Sequence, residues 1–385
     1  MRAVIFGAAG NQGRGVAGDL VKREGISKVI LADIRLDEIK RIASDIGEKA
    51  EAVYADADDQ QSVAAVLKGA DVLANMTGPG FRYSPMLIRA AIDARVNYID
   101  LLDDAEAVPH VLAFDDAAKN AGITVLAGLG SSPGLCDIWV RYAADRLDRV
   151  DDVRIAWVGT ITPTPTSAGW GHRLGMFAQQ VPIFKDGEIV YVPGGSDPEV
   201  IEWPEPFGAI EARICAHPEP LTIPRYIKGI KNIVNKGSYT VKEFVDLVLY
   251  LGSLGLASMK PIKVGDISVA PIEFCRHFFA LSDEFKQTEI YKRIIERELA
   301  LGPFTGIDVL VKGEKGGRPA RYVYHYFSTN RAFKTYIPAS IGAHMLASGK
   351  VGLKGVIFAA ALDPKPILDE AVRSNLVWEE RFEQL

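Results

Sequence analysis

Three glycines near the start of the chain, Gly7, Gly10 and Gly13, have the spacing of a turn that binds a diphosphate. A glycine turn lets the backbone approach phosphate oxygens closely, and the free N–H groups at the start of the next helix bind their negative charge. Asn11 and Gln12 would stand at that helix start. The spacing alone is weak, because such triplets also occur by chance. Its context is specific: the motif follows an apolar run and opens a segment of helical spacing, which predicts a dinucleotide site.

A carboxylate at the end of the second apolar run bears on the choice of nucleotide. Asp33 stands 20 residues after Gly13, where a carboxylate accepts hydrogen bonds from the adenosine ribose hydroxyls and repels a 2′-phosphate. Arg35 has the opposite tendency, because a guanidinium pairs with such a phosphate. A solvated residue at the start of the second helix is an equally good interpretation of Arg35. The sequence favours NAD, with NADP as the alternative.

Two further polar loops follow predicted strands. Asp56 and Ala57 come after the third strand, where Asp56 either contacts the adenine side of the nucleotide or caps the next helix. The loop after the fourth strand is predicted to pass beside the nicotinamide ribose, and its residues are Asn75, Met76, Thr77 and Gly78. Both loops belong to the site only if the strands before them are parallel and end at one edge of a sheet.

Apolar runs and segments of helical spacing alternate regularly through the first 130 residues, as such a sheet requires. The predicted strands are Ala3–Phe6, Lys28–Ala32, Ala52–Ala55, Asp71–Asn75, Asn97–Leu101 and Thr124–Ala127. The predicted helices are Asn11–Lys22, Leu36–Ile46, Gln60–Lys68, Ser84–Ala94 and Val108–Asn120. Strands that are apolar on both faces are typical of a parallel sheet covered by helices. We therefore predict an α/β fold whose N-terminal domain is a doubly wound, Rossmann-type parallel sheet.

The pattern becomes irregular after residue 130. Val181–Phe184 and Glu188–Val192 flank a Lys-Asp-Gly turn and predict a hairpin. Asp308–Lys312 and Arg321–Phe327 predict a second hairpin. Further segments of this region have predicted structures of their own: helices at Leu135–Leu147, Val241–Leu251 and Asp283–Leu299, a strand at Asp152–Gly159, and an irregular run at residues 160–169. Because strands and helices are not interleaved here, we predict an antiparallel α+β second domain.

Four segments resemble the saccharopine dehydrogenase family: GAAGNQGRGVAGDL, ADVLANMTGP, ARVNYIDLLDD and GITVLAGLGSSPGLCDIWVRYAA. The resemblance implies a Rossmann domain over residues 1–130 and an inserted substrate and dimerisation domain over 131–336. It also implies that the C-terminal segment, 337–385, returns to the first domain through a helix near Ile337–Gly349, and that the protein is a homodimer. Through residues 160–335 the similarity is loose.

The activity implied by the resemblance is reversible hydride transfer between a nicotinamide and the amine-bearing carbon of an amino acid or opine-like substrate. Two alternatives stay open: a dinucleotide-binding protein without turnover, and an amine transferase of the homospermidine synthase kind that recycles its NAD. An amine is oxidised from its neutral form, so the reaction needs a base and then an activated water.

Four residues are candidates for the catalytic groups. Asp100, at the end of the fifth predicted strand, matches an aspartate in a similar segment of the family; a strand-end carboxylate that orients its loop is the alternative. His172, in a glycine-flanked loop, and His217, in a proline-rich loop, are candidate imidazoles. Arg225 ends the second of these loops and is a candidate partner for a substrate carboxylate. For these three residues the alternative is an ordinary place in a solvated loop.

Composition excludes several other classes of protein. Lys and Arg number 44 against 49 Asp and Glu, for a net charge of −5 without a basic stripe, which argues against a nucleic acid or an anionic membrane as partner. Cys136, Cys215 and Cys275 are widely spaced, so neither a disulfide framework nor a metal site is predicted. The start of the chain lacks the apolar segment of a signal peptide, and Phe244–Met259 is too short to span a membrane. We therefore expect a cytoplasmic protein.

Overall fold

The computed structural model describes residues 1–161 and 166–385, which divide into two compact units. Neither unit is one continuous stretch of chain. The first comprises Met1–Arg146, Thr222–Lys228 and Ala332–Val377. The second comprises Leu147–Leu221, Gly229–Arg331 and Trp378–Leu385.

Strands and helices alternate through the first part of the first unit. Its strands are β1 Arg2–Phe6, β2 Lys28–Asp33, β3 Ala50–Tyr54, β4 Val72–Asn75, β5 Asn97–Asp100 and β6 Thr124–Ala127. Its helices are α1 Asn11–Leu20, α2 Leu36–Ile46, α3 Gln60–Leu67, α4 Gly80–Ala94, α5 Val108–Leu112, α6 Asp115–Ala121 and α7 Leu135–Ala144. One long helix was predicted over Val108–Asn120, but it is divided into α5 and α6. The Phe114 N–H bonds the carbonyl of Val111, only three residues back, and this tight turn separates them.

The middle of the chain contains both strands and helices, which do not alternate regularly. Its strands are β7 Arg149–Gly159, β8 Gln180–Lys185, β9 Glu188–Pro193, β10 Glu199–Glu202, β11 Ala209–Ile214, β12 Asn232–Tyr239, β13 Ile262–Val264, β14 Ile267–Val269, β15 Thr305–Lys315 and β16 Arg318–Ser328. Its helices are α8 Ser167–Ala178, α9 Glu219–Thr222, α10 Lys242–Ser253, α11 Pro271–Leu281, α12 Asp283–Gln287 and α13 Glu289–Leu301. The last elements are α14 Phe333–Ala347, β17 Gly355–Phe358, α15 Pro364–Arg373 and β18 Glu379–Gln384.

The first unit contains a seven-stranded sheet in the order β17-β6-β5-β4-β1-β2-β3, in which every pairing is parallel. The residues of β4 and β6 are all buried, because helices cover both faces. The predicted Rossmann-type sheet is therefore confirmed. The strand order reverses between β1 and β4, and in open α/β sheets ligands bind at the carboxyl ends of the strands at that point.

The second unit contains a mixed sheet in the order β10-β11-β12-β7-β15-β16-β18, with the β8–β9 hairpin attached to β12. Both predicted hairpins are present, as β8–β9 and β15–β16. The expectation of a purely antiparallel sheet was wrong, because β12 runs parallel to β7. Residues 160–231 connect these two strands, and so long a connection allows the crossover that a parallel pair requires.

Helices α8, α10 and α11 contribute to the apolar core of the second unit. Trp170 of α8 packs against Phe244, Phe279 and Phe285, with ring centroids 5.2, 4.9 and 5.8 Å away. The predicted helix Asp283–Leu299 is divided into α12 and α13 at Thr288, whose hydroxyl accepts the Tyr291 N–H and caps α13. Of the run predicted to be irregular, residues 162–165 lie outside the described residues, and the prediction was wrong for residues 167–169, which belong to α8.

The C-terminal part of the chain contributes to both units. Helix α14 packs on α1 and β5, so the predicted return of a C-terminal helix to the first domain is confirmed. The first unit also includes α7 and the short segment Thr222–Lys228, both of which lie in the range predicted for the second domain. Strand β18, in the segment predicted to pack on the first domain, pairs instead with β16 of the second unit. No helix among the described residues is long and apolar enough to cross a membrane.

Candidate functional site

The turn between β1 and α1 leaves no room for a side chain at two of its glycines. Gly7 has a φ of +73°, and its N–H donates to the carbonyl of Ala32 at the end of β2. A Cβ at position 7 would lie 2.8 Å from the carbonyl carbon of Met76. A Cβ at position 13 would lie 2.3 Å from the oxygen of Gly7 and 2.7 Å from Cα of Ala8. Helix α1 therefore rests directly on the turn, as close approach of backbone to a ligand requires.

The start of α1 presents backbone donors to this turn. Gly10 caps the helix and has no side chain to accept a hydrogen bond from the first turn. The N–H groups of Asn11, Gln12 and Gly13 belong to that first turn, where the positive end of the helix dipole favours an anion. In addition, Oε1 of Gln12 is buried and has no hydrogen-bond partner among the described residues. The predicted diphosphate residues thus lie together in an arrangement that fits a diphosphate.

Asp33 is turned towards the glycine turn and is only 7% exposed. Its Oδ2 accepts the Ala9 N–H at 3.0 Å, and its Oδ1 accepts the Arg35 N–H at 3.0 Å. The Arg35 guanidinium is half exposed and ion-pairs with Oδ1 of Asp33 at 3.4 Å and with Glu38 at 3.0 Å. Two hydrogen bonds within the protein therefore use part of the acceptor capacity predicted for the ribose hydroxyls. The Arg35 guanidinium, a group that pairs with phosphates, lies beside the same carboxylate.

The loop after β4 lies against the glycine turn. The Met76 N–H donates to the carbonyl of Phe6 at 2.9 Å, which joins the ends of β4 and β1. The Asn75 side chain is 2% exposed, donates to the Tyr98 hydroxyl and accepts the Thr77 N–H, each at 2.9 Å, so it shapes the loop. The Thr77 hydroxyl is buried without a hydrogen-bond partner among the described residues. Gly78 is exposed beyond it.

Asp56 shapes a turn and does not cap the next helix. Its Oδ1 accepts the Asp58 N–H at 2.9 Å, and α3 is capped by Asp59, which accepts the Gln61 N–H at 2.9 Å. Ala57 lies half-buried in this turn. The alternative in which Asp56 caps the helix was therefore wrong, because the cap is Asp59. Contact between Asp56 and the adenine stays a prediction.

Asp100 is 1% exposed and is surrounded by donors. Its Oδ2 accepts the Ser84 hydroxyl at 2.6 Å and the Tyr98 hydroxyl at 2.8 Å. Its Oδ1 accepts the N–H groups of Leu102 at 3.1 Å and Gly128 at 2.9 Å. Burial raises the pKa of the carboxyl, and these hydrogen bonds oppose that rise. With four donors in place, the geometry favours the alternative in which Asp100 orients the loops after β5 and β6.

The other three predicted catalytic residues do not share one environment. His172 was predicted to lie in a loop, but it is a half-buried residue of helix α8. His217 is 4% exposed, with Nδ1 3.3 Å from the carboxylate of the fully buried Glu219. Arg225 belongs to the first unit, where it is exposed. His217 thus belongs to the second unit and Arg225 to the first.

A buried carboxyl of the second unit, Glu298 of α13, was not predicted from the sequence, and the charges of Arg331 and Arg173 act on it. Glu298 is 5% exposed, and burial raises its pKa to about 7 against the opposing effect of the two arginines. The sequence held one signal for it: Glu298 lies four residues after Ile294, on the buried face of an amphipathic helix where apolar residues are expected.

Most of the first continuous segment of the first unit matches a known family of domains. Residues 3–126 match the model described as the saccharopine dehydrogenase NADP binding domain. That domain belongs to the saccharopine dehydrogenase family. A carboxyaminopropylagmatine dehydrogenase from Synechocystis is 23% identical to the chain, and the alignment covers 99% of this chain and 98% of the relative.

Two solved structures share the fold over nearly the whole chain. A saccharopine dehydrogenase (L-Glu forming) from Saccharomyces cerevisiae in the apo form gives a TM-score of 0.70 at 16% identity, with 99% of each chain covered. A homospermidine synthase from Legionella pneumophila in complex with NAD gives 0.60 at 14% identity, covering 99% of this chain and 91% of its own. The chain is an NAD(P)-dependent oxidoreductase, as the resemblance implied.

Proposed function

We propose that the chain transfers a hydride reversibly between NAD(P) and the amine-bearing carbon of an amino acid or opine-like substrate. The observation that carries this proposal is the turn at Gly7–Gly13, which lies where the strand order of a parallel sheet reverses and offers uncapped N–H groups to a diphosphate. The name of the Synechocystis relative, carboxyaminopropylagmatine dehydrogenase, supports a carboxylated amine as substrate.

Each part of the proposed site has a distinct task. The turn and the start of α1 bind the diphosphate, Asp33 and Arg35 face the adenosine ribose, and the loop after β4 bounds the nicotinamide side. The nicotinamide supplies or accepts the hydride when the nucleotide is bound. Glycine is required at Gly7 and Gly13 because a side chain there would overlap backbone atoms and push the diphosphate away.

For the acid–base group we propose His172. Among the predicted residues, Asp100 and His217 are almost completely buried and Arg225 is exposed, whereas the His172 imidazole is half-buried. An imidazole titrates near neutral pH and suits a group that takes a proton from an amine or a water. A His172→Asn variant should bind nucleotide normally and lose turnover. His277→Asn, on the exposed face of α11, is the matched control.

The test of the function is a screen of lysine, saccharopine, ornithine and polyamine adducts with NAD and with NADP. Turnover is followed by the near-ultraviolet absorbance of the reduced nicotinamide. A substrate-dependent change in that absorbance supports the proposal. Nucleotide binding without turnover of any adduct would instead support a non-catalytic binding protein. Amine transfer without net reduced nucleotide would support an enzyme of the homospermidine synthase kind.

We also propose a cytoplasmic homodimer that associates through the second unit. The β13–β14 hairpin pairs with no other strand of the described chain and exposes Ile262, Val264 and Ile267. Because an isolated hairpin is marginally stable in water, a partner surface would stabilise it. An Ile267→Lys variant should then shift the mass measured by light scattering from dimer to monomer. All three cysteines are buried thiols, which supports a reducing compartment.

A further inference from the structure

A chain of buried hydrogen bonds connects the end of β5 with the loop after β4. Tyr98 lies in its middle and is completely buried, with Asp100 on one side and Asn75 on the other. The Tyr98 hydroxyl donates to Oδ2 of Asp100 at 2.8 Å and accepts from Nδ2 of Asn75 at 2.9 Å. The Oδ1 atom of Asn75 then accepts the Thr77 N–H at 2.9 Å. Side chains of two neighbouring strands are thus joined to one loop.

The groups at the two ends of this chain fix the direction of every hydrogen bond in it. Asp100 already accepts three other hydrogen bonds, so its carboxylate accepts here as well and the Tyr98 hydroxyl donates. Burial raises the pKa of Tyr98 well above its ordinary value, which keeps that proton in place. At the other end the Thr77 N–H can only donate. Asn75 therefore turns its oxygen to the loop and its NH2 group to Tyr98.

The loop that ends this chain is also held from the side of the glycine turn. The Met76 N–H donates to the carbonyl of Phe6 at 2.9 Å, and a Cβ on Gly7 would lie only 2.8 Å from the Met76 carbonyl carbon. The loop backbone is therefore fixed both by β1 and by the Asn75 side chain. On this fixed backbone the Thr77 hydroxyl is buried and has no hydrogen-bond partner among the described residues. Such a hydroxyl needs an explanation, and contact with a ligand is one.

We infer that Tyr98 is a positioning residue for the nucleotide. Through Asn75 it fixes the loop after β4 so that the Thr77 hydroxyl forms a hydrogen bond with a hydroxyl of the nicotinamide ribose. This inference rests on the proposed function, which assigns the loop to the nicotinamide side of the site. A ribose hydroxyl suits the position because, like the threonine hydroxyl, it both donates and accepts. Asp100 then acts on the nucleotide through Tyr98.

The experiment compares part of the nucleotide with the whole. ADP and 2′-phospho-ADP carry the adenosine and the diphosphate, whereas NAD and NADP also carry the nicotinamide ribose. Calorimetry on the full chain measures the dissociation constant of each. Tyr98→Phe keeps the ring and removes only the hydroxyl. It should bind ADP and 2′-phospho-ADP as the wild type does and lose about two- to tenfold in affinity for NAD and NADP, the effect of one hydrogen bond. The control Tyr191→Phe, 65% exposed in the second unit, should match the wild type throughout.

Two variants of Thr77 test the hydroxyl itself. Thr77→Val replaces the hydroxyl by a methyl group and should show the same loss of about two- to tenfold for NAD and NADP alone. Thr77→Ser keeps the hydroxyl and should bind every nucleotide normally. If Tyr98 acts through Thr77, the double variant Tyr98→Phe/Thr77→Val should bind NAD and NADP no more weakly than the weaker single variant. Additive losses would show that the two hydroxyls act independently and would overturn the positioning role.

The inference is also overturned if Tyr98→Phe weakens ADP as much as NAD, which is the result of a purely structural role. If Tyr98→Phe does not fold, Asn75→Ala breaks the same chain one hydrogen bond closer to the loop and takes its place in the double variant. A wild-type protein that binds neither NAD nor NADP would contradict the proposed function and this inference with it. Normal binding of NAD and NADP by both the wild type and Thr77→Val would contradict this inference alone.

Discussion

Replacing Gly13 by alanine tests the packing that forms the diphosphate turn. The added Cβ would lie 2.3 Å from the Gly7 oxygen and 2.7 Å from Cα of Ala8, and both are backbone atoms that cannot rotate away. Overpacking of this kind costs about 1–3 kcal/mol, while alanine in place of glycine returns about 1 kcal/mol of helix propensity. We expect a net loss of up to about 2 kcal/mol in the free energy of unfolding. Because α1 must move off the turn, NAD(P) affinity should fall by about tenfold or more.

Helix α1 offers its own control at Gly18, where an added Cβ would meet nothing within 4 Å. A Gly18→Ala variant should gain about 0.5–1 kcal/mol of stability, because alanine loses less backbone entropy in a helix. Urea denaturation and a nucleotide titration followed by fluorescence measure both variants. Wild-type stability together with wild-type nucleotide affinity in Gly13→Ala would refute the close packing of α1 on the turn.

Three further variants test the site. Arg35→Ala should weaken NADP by about tenfold and leave NAD nearly unchanged, because only NADP carries the 2′-phosphate; equal effects on both nucleotides in a binding titration would remove Arg35 from phosphate recognition. Asp100→Asn should lower the free energy of unfolding by about 1–3 kcal/mol, because the new side-chain NH2 group would point at groups that already donate hydrogen bonds to Asp100. Normal stability together with lost turnover would instead support Asp100 as the acid–base group. Folding raises the pKa of Glu298 from 4.5 to about 7. The protonated carboxyl therefore stabilises the folded state below pH 4.5, and this stabilisation is lost as the pH rises through 7. In urea denaturation, the stability advantage of Glu298→Gln over wild type should therefore grow between these values and then level off, and a constant difference would contradict the shift.

The N-terminal sheet could be predicted because its sequence signal is local. Five of its first six strands are short runs with buried residues on both faces, and the glycine turn follows the first of them directly. Strand β17, at the edge of the same sheet, has only four residues and pairs with β6 across more than 220 residues of sequence. Its sequence, Gly-Val-Ile-Phe, is similar to that of β1, but it lies outside the regular alternation of the first 130 residues, so its place in this sheet could not be predicted.

The role of Asp100 could not be predicted for a different reason. A carboxylate at the end of a parallel strand has the same sequence context whether it faces a ligand or backbone donors. Ser84 and Gly128, which donate to it, lie 16 and 28 residues away in sequence. The surroundings of Glu298 are more extreme, because Arg173, whose charge acts on it, lies more than a hundred residues earlier in the chain. Only the charge on the apolar face of α13 indicated it in advance.

The discontinuity of both units has a consequence for how the protein is made. The ribosome has already released most of the first sheet when the second sheet begins to emerge. Yet α14, β17 and α15, which complete the first unit, are translated only after the second unit is nearly finished. Strand β18 then follows and covers the free edge of β16. During synthesis each sheet therefore has an edge strand that is not yet covered, and such an edge favours aggregation. We expect chaperones to assist the folding of this chain.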